Sequence, residues 1–150
     1  MRLKLPPLFI TLITCLVMYF LALFLPFGTF NFTGRNYIMY FLLVLGGILE
    51  VISLLQFFIK KTSVNPISPD NASTLVVTGL YNFTRNPMYL GMLLLLLAWG
   101  LYLGNAFNML VAAGFVSYMN NFQIKPEEEA LKKKFGGVYK NYMIKVRRWF

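Results

Sequence analysis

The chain has 150 residues, of which 58% are hydrophobic and 13% are charged. Soluble domains average roughly 45–50% apolar and about 25% charged residues, so this composition predicts one domain of a membrane protein. There is no histidine, and Cys15 is the only cysteine. These counts exclude Cys/His zinc sites, histidine-bound haem, Ser-His-Asp triads and an intrachain disulfide. We therefore expect no metal, and a chemistry of carboxylates, arginine, tyrosine and amides.

The apolar segments, taken in chain order, predict an all-α integral membrane protein. Residues 5–27 are uncharged, and about 20 such residues cross a bilayer core of roughly 30 Å. A signal peptide is the competing interpretation of this segment, because Arg2 and Lys4 precede it. Its apolar region is, however, longer than the usual 7–15 or so residues of a signal peptide. The second predicted span covers residues 36–59 and ends at a pair of lysines.

A third apolar block runs from residue 86 to residue 124 without a charged residue, and the turn sequence LGNAFN interrupts it at 103–108. A Gly-Asn step is a turn signal, so we expect a tight hairpin of two helices, residues 87–103 and 106–121. Each arm is about 25 Å long at 1.5 Å per residue, which is short for a span and requires a tilted hairpin or a thinned bilayer. The chain is thus expected to be a single domain of about four spans with a C-terminal tail, residues 125–150.

Basic residues are distributed unequally between the two predicted membrane sides. If the N-terminus is cytoplasmic, 13 of the 14 basic residues share that side, and Arg35 alone lies opposite. The positive-inside rule therefore places both termini and the loop after the second span in the cytoplasm. The net charge of +9 predicts attraction to anionic membrane lipids, and we expect no nucleic-acid partner because the basic residues flank membrane spans. The oligomeric state is left open.

The tail carries signals of two helical segments. Pro126 lies at a typical first helical position, and three glutamates followed by three lysines, residues 127–129 and 132–134, suit the helix dipole. A second amphipathic segment, residues 138–149, follows a Gly-Gly break, with Trp149 as an expected anchor at the membrane interface.

The sequence TRNPMY at 84–89 lies on the same predicted membrane side as the tail. Simple structural roles account for each residue alone. Pro87 can begin a helix, Arg85 can bind lipid phosphate, and Tyr81 and Tyr89 can belong to an interfacial aromatic belt. In combination, a cationic residue, paired acids and aromatic rings on one membrane face predict a polar pocket beside lipid.

Two spaced motifs then carry a resemblance to a known family. The first is Arg-Asn-Pro-x-Tyr-x-Gly at 85–91, and the second is Glu-Glu-x-x-Leu-x-x-x-Phe-Gly at 127–136, followed by Tyr-x-x-Tyr and Val-x-Arg-Trp up to Trp149. TSVNP at 62–66 also fits. Over residues 45–150 the chain resembles the bacterial branch of the isoprenylcysteine carboxyl methyltransferase family, which is related to the phospholipid methyltransferases. The resemblance implies a bacterial inner-membrane protein that binds S-adenosylmethionine.

The resemblance places the element from Arg85 to Gly91, together with Glu127 and Glu128, around that cofactor. On chemical grounds, a carboxylate would accept hydrogen bonds from its ribose hydroxyls or ammonium, Arg85 would pair with a carboxylate, and a tyrosine ring would contact adenine or the sulfonium. Where the family commonly has histidine this chain has Asn86, which cannot titrate near neutral pH, so a proton-shuttling role is excluded there. The expected cofactor-binding residues are Tyr81, Arg85, Asn86, Pro87, Tyr89, Gly91, Glu127, Glu128 and Tyr139.

Glu50 lies inside the second predicted span, where a carboxylate is costly and is a functional candidate by default. We expect Glu50 and Arg85 to be the catalytic residues, although the nearby Gly46-Gly47 pair also fits a structural helix contact at Glu50. The expected function is methyl transfer from S-adenosylmethionine to a lipophilic, membrane-embedded acceptor, either isoprenylcysteine-like or lipid-like. A small transporter and a non-catalytic membrane adaptor are the alternatives. Nothing in the sequence selects oxygen, nitrogen or sulfur as the nucleophile.

Overall fold

The computed structural model describes residues 5–59 and 75–150, apart from the side chain of Phe57. The predicted all-α class is confirmed for these residues, whose only strand-like feature is one isolated bridge between Thr29 and Asn105. Parts of the predicted cytoplasmic loop, including TSVNP at 62–66, and the basic residues before residue 5 lie outside the described residues. The helices are α1 (Pro7–Phe24), α2 (Arg35–Ile59), α3 (Pro87–Leu103), α4 (Asn108–Tyr118) and α5 (Lys125–Lys145), with short 3-10 helices at Pro26–Gly28 and Gly79–Asn82.

Helices α1 and α2 present apolar side chains outwards. Both have a mean hydropathy of 2.4, and only 22% and 17% of their most apolar windows are buried inside the protein. The core helix of a soluble protein would be mostly buried, so this outward apolar surface fits a lipid environment. Both helices are long enough to cross a membrane, whereas α3 is a shorter apolar helix. That all four predicted segments span the bilayer stays a prediction.

The loop between α1 and α2 meets the turn between α3 and α4 at one end of the helix bundle. Phe30 N donates to Gly104 O and Ala106 N donates to Gly28 O, both at 2.8 Å. Gly104 ends α3 in the left-handed conformation, with φ of 62°. A Cβ atom on it would lie 2.6 Å from Arg35 Nη1, so both its backbone and its surroundings favour glycine. Arg35 is therefore at the end opposite the segment that precedes α3.

Helices α2 and α3 cross closely through two glycines. A Cβ atom on Gly46 would lie 3.0 Å from Gly91 O, and one on Gly91 would lie 3.1 Å from Gly46 O. Small residues let helix backbones approach in this way. Gly47, the other member of the pair, has no atom within 4 Å of such a Cβ. The crossing positions the start of α3 against α2.

The core lies where α1, α3 and α4 meet and continues into the turn after α4. Its members are buried side chains, mostly methionine, isoleucine and aromatic residues. They are Ile10, Met18, Tyr89, Met92, Leu96, Phe115, Met119 and Ile124. Hydroxyl groups on α1 are satisfied locally, since Thr11 and Thr14 donate to the carbonyls four residues earlier at 3.0 and 2.8 Å.

Helix α5 begins at Lys125, as the sequence predicts for the tail, but no loop separates it from α4. The chain stays helical from α4 through a π-helical turn, Met119–Ile124, into α5. Proline cannot donate to the carbonyl four residues earlier and its ring clashes there, and the wider π-turn just before Pro126 relieves that conflict. The predicted positions of Pro126 at the start of α5 and of Glu127 and Glu128 in its first turn are confirmed.

The second half of the tail also differs from expectation. The predicted break is confirmed at Gly136, whose φ of 53° and ψ of −122° interrupt α5. The helix ends at Lys145, however, and Val146 leaves it in an extended conformation. Trp149 packs partly against the core, and its indole N–H donates to Asn120 Oδ1 at 3.0 Å. The prediction that residues 146–149 are helical is therefore wrong, and an interfacial role of Trp149 stays a prediction.

Candidate active site

The segment before α3 has a fixed backbone. It follows the short 3-10 helix Gly79–Asn82, and Asn86 N donates to Thr84 Oγ1 at 3.2 Å. Pro87 then occupies the first position of α3, where its missing N–H is not needed. Leu90 N donates to Asn86 O at 3.0 Å, which closes the first helical turn. Arg85 is thus held in a short, hydrogen-bonded connection between two helices.

Two arginines converge on Glu128 of α5. Arg148 binds the carboxylate through both of its oxygens, with Nε 3.0 Å from Oε1 and Nη2 2.8 Å from Oε2. Arg85 Nη1 lies 3.1 Å from Oε1. The side chains of Arg85 and Glu128 are only 9% and 6% exposed, so the ion pair is shielded from water. The pairing with Glu128 also raises the pKa of Arg148.

The guanidinium of Arg85 is not saturated by this pairing. Its contact with Glu128 is an ion pair without a well-aligned hydrogen bond, and its buried Nε and Nη1 have no hydrogen-bond partner among the described residues. Leaving buried donors unmet is costly. Such donors fit a site that takes an acceptor group from a ligand.

Glu127 lies next to this cluster and contacts the first turn of α3. Tyr89 donates its hydroxyl to Glu127 Oε2 at 2.9 Å. Burial raises the pKa of Glu127 to about 7, the nearby Glu128 adds to this rise, and the hydrogen bond from Tyr89 opposes it. The Tyr89 hydroxyl thus ties the first turn of α3 to the Glu127 carboxyl of α5.

Three tyrosines surround the paired acids. Tyr139 is buried, and its pKa is raised above the ordinary value by burial and then by the charge of Glu128. Burial raises the pKa of Tyr142 to about 12, and its hydroxyl donates to Tyr81 O at 2.6 Å. Tyr81 is also buried, and burial followed by the charge of Glu127 raises its pKa. All three phenols are therefore neutral at physiological pH.

Glu50 and Gly91 lie at the crossing of α2 and α3, away from the paired arginines. Glu50 Oε1 is 3.0 Å from the position a Cβ would take on Gly91, and it has no hydrogen-bond partner among the described residues. Tyr81 lies near both regions, since the charges of Glu127 and Glu50 both contribute to its raised pKa. The structural role proposed for Gly46 at this crossing is confirmed, and it leaves one oxygen of Glu50 unpaired.

The residues predicted from the sequence thus divide into three groups. Arg85, Tyr89, Glu127, Glu128 and Tyr139 come together where α3 begins and α5 passes. Asn86 and Pro87 contribute to the backbone of that junction, and the Asn86 side chain donates to Arg148 O at 2.8 Å. Tyr81 lies between the junction and the α2–α3 crossing. Tyr81 and Tyr89 are only 7% and 6% exposed, so the alternative of an exposed aromatic belt is wrong for both.

Arg148 is the main neighbour of the site that the sequence does not single out. It is one of eight basic residues between Lys125 and Arg148, and composition gives no reason to separate it from Arg147. Its place in the Val-x-Arg-Trp pattern is the one available signal. Thr84 is a second omission, and its hydroxyl donates to Arg148 O at 3.2 Å.

Comparison with known proteins identifies the family of the chain. The family model described as phospholipid methyltransferase matches residues 35–137. An uncharacterised protein from Haemophilus influenzae is 52% identical over 62 residues, which are 41% of this chain and 98% of the relative. No solved structure matches the chain. Because the matched region covers more than half of the chain and includes α2, α3 and the paired acids, this membrane protein belongs to the phospholipid methyltransferase family, whose members methylate lipid-like substrates.

Proposed function

We propose that this protein transfers a methyl group from S-adenosylmethionine to a lipophilic acceptor held in the membrane. The observation that carries the proposal is the meeting of Arg85 and Tyr89 with Glu128 and Glu127, at 3.1 Å and 2.9 Å. These contacts join the two sequence motifs at one end of the helix bundle. Family membership favours an enzyme over the alternatives of a transporter or a membrane adaptor.

The residues at this junction fit the donor by their chemistry. When bound, S-adenosylmethionine supplies an activated methyl group on a sulfonium. The carboxyl of Glu127 can accept from a hydroxyl or an ammonium, and Arg85 has buried donors for a carboxylate. The neutral rings of Tyr81 and Tyr139 suit an aromatic base or a cation. We assign Glu127, Arg85 and these two rings to direct contact, and Glu128 to holding Arg85.

Glu50 is proposed to face the acceptor. It lies on α2 beside the close crossing with α3, and its Oε1 is unpaired among the described residues. Carboxylates at both Glu50 and Glu127 disfavour an anionic acceptor and favour a cationic amine head group. A primary ammonium must lose a proton before its nitrogen can act as a nucleophile, and Glu50 is placed to receive that proton.

The water-shielded setting suits methyl transfer. Alignment of two reactants and exclusion of water are the main sources of rate enhancement for such a displacement. Arg85 and Glu128 are fixed by contacts between the segment before α3, α5 and the C-terminal residues. We propose that both termini face the cytoplasm of a bacterial inner membrane, because the positive-inside rule favours that orientation.

Donor binding is tested by calorimetry with the purified protein in detergent and in lipid nanodiscs. We expect S-adenosylmethionine and its demethylated product to bind, and Arg85→Ala to weaken both while the thermal transition of the protein is retained. Lys133→Ala, which removes an exposed charge from α5, is the matched control. Failure of the parent protein to bind in both environments would favour the adaptor.

Acceptor chemistry is tested by labelled-methyl transfer into vesicles, with mass analysis of the product. Vesicles containing a primary-amine phospholipid are compared with vesicles containing an isoprenylated cysteine acceptor. We expect label on the amine lipid. Label only on the cysteine carboxylate would refute the amine assignment and leave the methyltransferase proposal standing.

A further inference from the structure

The last five residues form a strap across the start of α3, which we call the C-terminal latch (residues 146–150). Its main-chain carbonyls accept three hydrogen bonds from the segment before α3. Arg85 N donates to Arg147 O at 3.0 Å, and Thr84 Oγ1 and Asn86 Nδ2 donate to Arg148 O at 3.2 and 2.8 Å. The latch therefore binds the backbone of Arg85 and the side chains of the residues on both sides of it.

The side chain of Arg148 continues the latch into the site. Its planar guanidinium grips both oxygens of Glu128, which fixes the plane of the carboxylate as well as its position. Arg85 shares Oε1 of that carboxylate at 3.1 Å. Trp149 adds a third attachment through its hydrogen bond to Asn120. Arg148 is thus connected to Arg85 in two ways. The main chain of the latch binds the segment that holds Arg85, and the Arg148 side chain binds Glu128, which in turn pairs with Arg85.

We propose that the C-terminal latch completes the methyl-donor site, with Arg148 as a positioning residue that orients Arg85 through Glu128. This inference rests on the proposed function. The family model ends at residue 137, so the latch lies outside the region that the family match covers. The donor site of this chain accordingly extends beyond that region.

The geometry predicts what replacement of Arg148 does. Without its guanidinium, the buried Glu128 carboxylate has Arg85 as its one remaining cationic partner among the described residues. The Arg85 guanidinium would then pair more closely with Glu128, and its donors would no longer be available to a ligand. Lysine cannot restore the arrangement, because an ammonium lacks the planar fork that binds two oxygens at once.

The test uses Arg148→Gln and Arg148→Lys, with Arg147→Gln as the matched control. Arg147 is exposed, carries the same charge, and contributes to the latch through its backbone carbonyl, which the substitution retains. The first readout is calorimetric affinity for S-adenosylhomocysteine. The second is hydrogen exchange of the Arg85 amide, which donates directly to the latch. Deletion of residues 146–150 removes the whole latch and gives the largest expected change in both the affinity and the exchange rate.

We expect both Arg148 variants to lower the affinity by about tenfold or more, the scale of one lost charge-assisted hydrogen bond. They should also speed exchange of the Arg85 amide, while Arg147→Gln changes neither. Parent-like affinity in Arg148→Gln, or an equal loss in Arg147→Gln, would overturn the inference. If the parent does not bind the nucleoside at all, the proposed function fails. Faster exchange in the Arg148 variants would then still support the latch as a closing contact, and unchanged exchange would overturn that as well.

Discussion

Glu127 is predicted to be a residue that weakens the fold and strengthens ligand binding. Its pKa is raised by burial from the ordinary 4.5 to about 7. Below pH 4.5 the carboxyl is protonated in both the folded and the unfolded states. Between 4.5 and about 7 only the unfolded state ionises, so the free energy of unfolding falls as pH rises through this window. At 1.36 kcal/mol for each pKa unit, the loss is about 3 kcal/mol once pH exceeds 7.

Glu127→Gln removes the ionisation and keeps an oxygen that can accept from Tyr89. We therefore expect the variant to unfold at a higher temperature than the parent at pH 8, with the difference shrinking towards zero near pH 4.5. Glu129→Gln, at the exposed neighbouring position, carries the same charge change and serves as control. The measurement is the thermal transition in detergent from pH 4 to 9, monitored by circular dichroism.

The same substitution should weaken donor binding. An ionised Glu127 is the better acceptor for a hydroxyl or an ammonium, so the parent's affinity for S-adenosylhomocysteine should rise with pH through about 7. In Glu127→Gln this rise should disappear. Opposite effects on stability and on binding are typical of a residue retained for function. The reasoning is refuted if Glu127→Gln is no more stable than the parent at pH 8, or if its binding keeps the parent's pH dependence.

Three further predictions follow from the packing. Gly91→Ala should reduce the free energy of unfolding by about 1–3 kcal/mol and so lower the transition temperature, because the added Cβ would lie 3.0 Å from Glu50 Oε1 and 3.1 Å from the α2 backbone. Gly114→Ala, which has open space around its Cβ, should leave the transition temperature unchanged. Tyr89→Phe should reduce the free energy of unfolding by about 1 kcal/mol and weaken donor binding, because it removes the hydroxyl that donates to Glu127. Unchanged binding would argue against a role for that hydrogen bond. In a background without Cys15, cysteines at the exposed positions Ala106 and Lys133 should be labelled from opposite sides of the membrane, and labelling from one side would contradict the predicted sidedness.

Local chemistry was sufficient to predict the helical segments and the ends at which they meet. Uncharged runs, the Gly-Asn turn and Pro87 each act within a few residues, so α1, α2 and the α3–α4 turn could be located from the chain alone. The charge distribution likewise placed Arg35 and Arg85 at opposite ends. The start of α5 was also predicted, because Pro126 is a typical residue of a first helical turn. The π-turn before it was not predicted, because it depends on how α4 and α5 pack.

Partner choice among charged side chains was decided only by the tertiary structure. The sequence contains eight basic residues in the tail, and no local rule distinguishes Arg148, which grips Glu128, from Arg147, which faces solvent. Likewise the sequence marks Glu50 as an unusual intramembrane acid, but its contact with Gly91 follows from the angle and distance at which α2 crosses α3. Helix formation is governed by neighbours along the chain, whereas a buried ion pair forms only where the fold brings its members within about 3 Å and excludes water.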